Sequence, residues 1–299
     1  MYKSSLTQVL GRFSRNEYEK KLLKKQEESS QVLLGNPNDN IEFSVAKDVA
    51  DRIQAYRLVY KLYIEKEFAT PSKSKMWYSL FDANPNTMTF IAKKNDKVVG
   101  TITIVIDSIT NLPADHIFHN DIQNLRNTGR VPAEIISLAI DKDIKEAQEI
   151  LIKLFNFIYI AGKELHSVTD LMITVNPKHV SFYKKRLLFN QLGDLKAYDK
   201  VGGADAVLLN LNIDETESTL KKIMNNPLKT KTILPFFTDH EEKLKILKNI
   251  KNSFKSMSPA EFIYFFKDQL SDSNNTSDKH LGYLKQYYDN ASNTFELMS

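Results

Sequence analysis

The sequence contains no cysteine among its 299 residues. Disulfide bonds, zinc sites built on thiolates and cysteine nucleophiles are therefore excluded. Long apolar runs are missing too: the first twenty residues are too polar for a signal peptide, and no later stretch is long enough to span a bilayer. We therefore expect a cytoplasmic protein without a transmembrane segment.

An excess of charge of one sign is also missing. The 41 basic and 37 acidic residues are interspersed and give a net charge of +4, which does not favour a nucleic-acid partner. Glycine-rich phosphate loops and the common zinc and serine-nucleophile motifs are absent. His116 and His119 lie in a polar stretch at 107–130 that we expect to be a solvated loop. We predict no metal site and no permanently bound cofactor.

An alternation of strand and helix patterns is present between residues 41 and 214. The order is strand, helix, hairpin, strand, helix, strand, helix, strand, which is typical of an α/β fold with a mixed sheet. Residues 1–40 predict an N-terminal helical arm with a basic second half. Residues 215–299 predict further helices rich in Phe and Tyr. We expect this helical appendage to pack on the core, because so many aromatic side chains cannot be buried by a short segment alone.

The segment VPAEIISLAI at 131–140 is the first candidate for chemistry. Glu134 has the same strand parity as Ile136, Leu138 and Ile140, so a carboxylate is in phase with an apolar face. Desolvation there would raise its pKa and suit it to take a proton from an attacking amine. The alternative is that Pro132 delays the start of the strand and leaves Glu134 as a solvated end residue.

The segment LMITVNPKHVSFYKKRLLF at 171–189 is the second candidate. A buried strand stops at Asn176, which is able to cap the helix that begins with Pro177. Tyr183 lies two turns into this helix and faces back toward the strand end, where a phenol would protonate a thiolate leaving group. A tyrosine on a short amphipathic helix is also a common core residue. Lys184, Lys185 and Arg186 form a basic run that would equally suit a solvated helix face.

Six groups of residues, in family-like order and spacing, give these patterns a context. They are Tyr60-Lys61-Leu62-Tyr63-Ile64; Val99-Gly100-Thr101; Asn111-Leu112-Pro113-Ala114-Asp115 with Phe118 and Leu125-Arg126; Ala133-Glu134-Ile135 with Leu138-Ala139-Ile140; Val175-Asn176-Pro177-Lys178-His179 with Phe182-Tyr183 and Phe189; and Val201-Gly202-Gly203-Ala204. On these groups the span from about Ile41 to Ile213 resembles the long-chain N-acyl amino acid synthases (FeeM-like). These are GNAT-fold relatives of the acyl-homoserine-lactone autoinducer synthases. The terminal segments are not covered.

The resemblance implies a GNAT-like mixed central sheet flanked by helices, and an N-acyltransferase activity. A long-chain acyl group would pass from an acyl carrier protein or CoA thioester to the amine of an amino acid or similar acceptor. Glu134 matches the carboxylate position shared with the autoinducer synthases, and Tyr183 matches the position often assigned as general acid. The pantetheine arm would enter a gap between strands 135–140 and 171–175. It would lie against the thioester-binding set Ser137, Leu138, Ala139, Ile140 and Asn176.

A positive rim beside this entrance would steer an acidic acyl carrier protein. The predicted docking residues are Lys178, Lys184, Lys185 and Arg186. No cofactor is expected to stay bound, since the acyl-phosphopantetheine of the carrier protein, or acyl-CoA, is a cosubstrate.

Three departures from the family pattern keep other functions open. Ser137 replaces an arginine that is characteristic of autoinducer synthases, which disfavours that activity. The loop at 141–147 lacks the glycines of the usual pyrophosphate loop, so it offers a diphosphate fewer unhindered N–H groups than such a loop does. Leu188 stands where a glycine is common. A donor with one phosphate fits these changes, and so does a degenerate, non-catalytic module that binds acyl groups or regulates another protein.

Overall fold

The computed structural model describes residues 41–198, 203–224, 240–271 and 279–298. The predicted arm at 1–40 lies outside these residues. Eight described strands belong to the sheet system, in the order β1-β2-β3-β4-β5-β8-β6, with β7 also paired to β8. They are β1 Ile41–Val45, β2 Met88–Lys94, β3 Lys97–Ile106, β4 Pro132–Ile140, β5 Asp170–Val175, β6 Asn190–Gln191, β7 Lys196–Tyr198 and β8 Ala204–Asn212. The predicted mixed sheet is confirmed, since β4 and β5 are parallel and the other described pairs are antiparallel.

Eight α-helices belong to the described residues. They are α1 Val49–Glu65, α2 Asp115–Asn127, α3 Ala147–Ile160, α4 Pro177–Leu187, α5 Ile213–Met224, α6 His240–Ser253, α7 Pro259–Ser271 and α8 Lys279–Met298. A π-helical turn, Ala161–Leu165, extends α3. None of the described helices is both long and apolar enough to cross a membrane.

Local sequence signals set several of these boundaries. Asp48 caps α1, because its side chain accepts a hydrogen bond from the N–H of Asp51 at 3.0 Å. The turn between β2 and β3 places Asn95 and Asp96 in the left-handed region, with φ of 51° and 61°. Asn and Asp tolerate this conformation well and are common in tight hairpin turns. The hairpin predicted after the first helix of the 41–214 region is confirmed, since β2 and β3 pair antiparallel around this turn.

The sheet is covered by helices on both faces. The inner face of β1 to β5 and β8 packs with α3 and α6 in one apolar cluster. On the opposite face, α1 packs against Ile91, Val98 and Ala139, while α2 packs against Val105 and Met172. Helix α3 comes close to β3 because Gly100 has no side chain. A Cβ there would lie 2.5 Å from Cγ2 of Ile150.

Helices α7 and α8 pack on α1 and on the segment 76–87 that leads into β2. Their shared cluster contains Tyr56 of α1 and Phe262 and Phe266 of α7. The Tyr78 hydroxyl donates to the carbonyl of Phe265 at 2.6 Å, and the Tyr288 hydroxyl donates to that of Ala83 at 2.7 Å. The division of the chain at 40 and at 214 stays a prediction, and α5 crosses the second boundary.

The prediction of a loop over 107–130 is wrong, because most of that stretch forms α2. Phe118, Ile122 and Leu125 recur at helical spacing and pack into the cluster between α2 and the sheet. The many Asn and Asp residues of this stretch masked that spacing. His116 and His119 therefore lie on a helix, and the ring of His119 contacts the carboxylate of Asp115 at 3.2 Å.

Candidate active site

The strands β4 and β5 separate halfway along their length. Their parallel pairing runs from Pro132 opposite Asp170 to Ile135 opposite Ile173, and within the described sheet it ends there. Beyond that point β4 continues beside β3, and β5 continues beside β8. The predicted separation of the two strands is confirmed, and it leaves an opening in the middle of the sheet.

A β-bulge at Ser137 explains why the strands diverge. Ser137 has a φ of 54°, and the register between β3 and β4 shifts between Thr101 and Thr103. An extra residue in one strand bends that strand and increases its twist. The bulge also reverses the parity of the residues after it, so Leu138 and Ile140 pack toward α3 while Ile136 packs toward α2. The prediction that Leu138 and Ile140 share the face of Glu134 and Ile136 is therefore wrong.

Glu134 is buried at the last part of the paired region, with 2% of its surface exposed. Its Oε2 accepts a hydrogen bond from the backbone N–H of Ala114 at 2.6 Å, and its Oε1 accepts one from the Thr174 hydroxyl at 3.3 Å. Ala114 is the N-cap of α2, so the carboxylate sits at a helix N-terminus, where negative charge is favoured. The alternative of a solvated strand end is thereby ruled out.

Tyr183 is also buried, on the inner side of α4, between the rings of Phe182 and Phe189. Burial, and to a lesser degree the nearby Tyr63, raises the pKa of its phenol well above the ordinary value. The phenol therefore stays protonated at physiological pH and is able to donate a proton.

Two further tyrosines belong to this region, and sequence reasoning gave neither of them a role. Burial raises the pKa of Tyr198 on β7, and the charge of Glu134 raises it further. Tyr63 of α1 also acts on Tyr198 and Tyr183. The only sequence signal for Tyr198 is its position just before the family-like group at 201–204.

The end of β5 passes directly into α4 through Asn176. Its Oδ1 accepts a hydrogen bond from the N–H of Lys178 at 3.2 Å. Asn176 therefore caps the helix, which is one of the two roles that the sequence predicts for it. Its Nδ2 donates to the carbonyl of Asp205 at 3.4 Å, which ties the end of β5 to β8.

The predicted docking residues are exposed but do not share one face of α4. Helical spacing places Lys178 and Lys185 beside the exposed ring of Phe182. Lys184 lies on another flank, where it lines a cavity of about 230 Å³ with α5. Partial burial, then the charges of Lys178 and Lys66, lower the pKa of His179, so the corner between α1 and α4 is electropositive.

The segment between β4 and α3 stands where a pyrophosphate loop is expected. Two N–H groups of this segment are bonded within the segment itself. The Asp141 side chain accepts from the N–H of Asp143 at 3.3 Å, and the Asp141 carbonyl accepts from the N–H of Ile144 at 3.3 Å. Glu146 is the N-cap of α3 and pairs with Lys94 at 2.6 Å. Among the described residues, no group of three or more His, Asp or Glu side chains is arranged to hold a metal ion.

Comparisons with known proteins agree with this geometry. The family model of the N-acyl amino acid synthase FeeM matches residues 54–212. The structure of FeeM, an N-acyl amino acid synthase from uncultured soil microbes, is 28% identical, and the similarity covers 58% of this chain and 93% of that one with a TM-score of 0.53.

More distant structures are also similar. An acetyltransferase of the GNAT family from Streptococcus pneumoniae is 16% identical, with 58% of this chain and 99% of that one covered and a TM-score of 0.40. The CoA-dependent acyl-homoserine lactone synthase BjaI is 13% identical, with 62% and 90% covered and a TM-score of 0.44. No curated protein sequence matches the chain.

The family match covers more than half of the chain and ends with Asn212, the last residue of β8. The strands on both sides of the opening, Glu134, and the helix with Tyr183 all lie inside it. The chain belongs to the N-acyl amino acid synthase FeeM family, and it is an acyltransferase with a GNAT-like fold.

Proposed function

We propose that the protein transfers a long-chain acyl group from the thioester of an acyl carrier protein to the amine of an amino acid or a similar acceptor. The observation that carries the proposal is the opening between β4 and β5, where the parallel ladder stops at Ile135 and Ile173. An extended pantetheine arm would add to the free edge of β4 beyond the bulge, along Ser137 to Ile140. The thioester would then lie beside the buried Glu134.

The chemistry requires a base, an acid and an oxyanion site. Glu134 takes a proton from the acceptor amine as its nitrogen attacks the thioester carbonyl. A backbone N–H of β4 stabilises the negative oxygen of the tetrahedral intermediate. The carbon–sulfur bond then breaks, and Tyr183 donates its proton to the departing thiolate. The products are an amide and a free pantetheine thiol.

A carrier-protein donor is supported by the loop before α3. A CoA diphosphate needs several free N–H groups, whereas those of Asp143 and Ile144 are already bonded to Asp141. Glu149 places negative charge in the first turn of α3, where a diphosphate would be repelled. A carrier protein presents a single phosphate and depends less on this loop.

The surface beside the entrance supports the same donor. The ammonium of Lys178 lies 5.4 Å from the centre of the Phe68 ring, so the end of α1 and the start of α4 meet there. Lys178 and Lys185 provide positive charge beside the exposed Phe182, and Lys66 adds positive charge near His179. Carrier proteins are acidic, and Arg186 and Lys184 would extend the attraction along the flanks of α4.

The decisive experiment incubates the purified protein with amino acids and either acyl carrier protein or CoA thioesters, and identifies N-acyl products by mass spectrometry. We expect product mainly with the carrier protein. The double variant K178E/K185E should raise KM for the carrier protein, more at low salt, and should spare a small acyl-pantetheine donor. No acylated amine with any donor would favour a non-catalytic binding module, and a lactone product would favour an autoinducer synthase.

A further inference from the structure

The catalytic carboxylate is oriented by a backbone group that belongs to another part of the fold. Ala114 is fully buried, and its N–H donates to Oε2 of Glu134 over 2.6 Å. The hydroxyl of Thr174 reaches the other oxygen over a longer distance of 3.3 Å. A backbone N–H moves only with its chain, so the segment that carries Ala114 determines where the carboxylate points.

That segment joins β3 to α2, and one guanidinium forms hydrogen bonds to both of its ends. Arg126, near the end of α2, donates from Nε and Nη2 to Asp107 at 2.7 and 2.8 Å. It also donates from Nη1 and Nη2 to Asp115 at 2.7 Å each. Asp115 in turn accepts from the N–H of Leu112 at 2.8 Å. Both ends of the segment are therefore fastened to the same side chain.

The chemistry of this contact calls for arginine. A guanidinium is a rigid planar fork that is able to bind two carboxylates side by side, whereas a lysine ammonium is a compact charge on a flexible stem. Burial alone would raise the pKa of Asp115, but hydrogen bonds from Arg126 and from the Leu112 N–H lower it overall. The hydrogen bonds that Arg126 donates to Asp115 likewise raise the pKa of Arg126. The ion pair therefore stays charged throughout the pH range of an assay.

We infer that Arg126 is a positioning residue for acyl transfer, which acts through Asp115 and the Ala114 N–H on the carboxylate of Glu134. This inference rests on the proposed role of Glu134 as the base. An N–H that points at a carboxylate favours its ionised form, so loosening the segment would raise the pKa of Glu134. The loss of activity at low pH would then begin at a higher pH than in the wild type.

The other groups that face Glu134 do not produce the same change. Tyr198 on β7 keeps its proton, because burial and the charge of Glu134 raise its pKa. Thr174 on β5 does not titrate. Asp115 and Arg126 of α2 remain paired in the wild type, and Asp115→Asn leaves no carboxylate there to titrate. Tyr63 of α1 has a pKa raised by burial to about 12. On the proposed mechanism, the ionisation of Glu134 therefore sets the fall of activity on the acid side of the pH profile, its acid limb.

The test measures kcat and KM against pH for Arg126→Lys, with Glu134→Gln as the reference. We expect Arg126→Lys to lower kcat by up to about 100-fold, as small misplacements of catalytic groups do. We also expect the acid limb of the profile to move to higher pH, with little change in donor KM. Arg130→Lys is the matched control, because Arg130 also pairs with a buried aspartate, Asp170, but ties together the starts of β4 and β5. It should lower the melting temperature and leave the acid limb in place.

The outcomes separate the base assignment from the positioning role. If Glu134→Gln is fully active, the base assignment fails and the inference falls with it. If Glu134→Gln is inactive but Arg126→Lys keeps the wild-type acid limb and kcat, only the positioning role is overturned. Should Arg126→Lys fail to fold, Asp115→Asn carries the same test, because asparagine still accepts from the Leu112 N–H but loses the ion pair. An unshifted acid limb in that variant overturns the inference.

Discussion

Two residues of the candidate site, Glu134 and Tyr183, lie in different surroundings. Glu134 receives a fixed N–H and a hydroxyl, both of which favour the carboxylate. Tyr183 is buried between two aromatic rings, and burial disfavours its phenolate. The surroundings thus separate a carboxylate that accepts two hydrogen bonds from a phenol that keeps its proton. This separation is what an acid–base pair requires.

Replacing Glu134 by Gln should lower kcat by about 10²–10⁴-fold, because the proposed base is lost while the volume is kept. The melting temperature should change little, since the amide oxygen is still able to accept from the Ala114 N–H. Glu261→Gln is the control: this glutamate is also buried, but it caps α7 away from the opening. It should lower stability and leave kcat unchanged. An active Glu134→Gln would mean that solvent or another group removes the proton.

A second buried carboxylate, that of Asp82, makes the free energy of unfolding depend on pH. Burial raises the pKa of Asp82 to about 6, although Ser79 and Arg52 act in the opposite direction. The folded state therefore holds this proton more tightly than the unfolded chain, whose pKa is about 3.9. The penalty for ionising Asp82 is absent below pH 4, grows as the pH rises and is complete above pH 6, where it reaches about 3 kcal/mol.

Asp82→Asn should remove this penalty. We expect the variant to gain unfolding free energy over the wild type at pH 7.5 but not at pH 4, as measured by urea unfolding at both values. Asp143→Asn, an exposed carboxylate, is the control and should show no such difference. An equal effect of Asp82→Asn at both pH values would show that the hydrogen bonds to Ser79 matter more than the charge.

At the scale of elements, the sequence predicts which residues of β4 share a face correctly up to the bulge at Ser137 and wrongly beyond it. Strand periodicity placed Glu134 and Ile136 together on one face but continued that parity through Leu138, since nothing in SLAI marks Ser137 as left-handed. The partners of Glu134 were equally hidden. Ala114 is 20 residues before it and Thr174 is 40 residues after it, and only the folded chain brings them together.

The bulge should respond to substitution in its own way. Ser137→Gly should be neutral or stabilising, because glycine adopts a φ of 54° without strain. Ser137→Val should cost roughly 1–3 kcal/mol, since a β-branched residue is strained there, and activity should fall if the opening narrows. Ser44→Val in the regular strand β1 is the control, because valine favours that geometry. If Ser137→Val is as stable and active as the wild type, the bulge does not maintain the opening.

For the whole molecule, the family match ends at residue 212, yet the core also depends on the helices C-terminal to that residue. Ile246 and Ile250 of α6 complete the cluster that contains α3, and α7 and α8 cover Val49, Ile53 and Tyr56 of α1. The aromatic composition of 215–299 predicts packing on the core. It did not say where, because the contacts join residues separated by most of the chain, as in the bond between Tyr288 and Ala83.

Removing this part of the chain should therefore expose two apolar surfaces. We expect a chain that ends at Asp214 to aggregate or to unfold without cooperativity, as measured by light scattering and by circular dichroism during heating. A single variant tests the same packing more gently: Phe262 is fully buried and stacks at 4.3 Å on Tyr288, so Phe262→Ala should cost about 3–5 kcal/mol. Leu244→Ala on the exposed side of α6 is the control, and it should change stability by less than about 0.5 kcal/mol. A truncated chain that stays soluble, unfolds cooperatively and transfers acyl groups at the full rate would make the C-terminal helices a separate unit with another role.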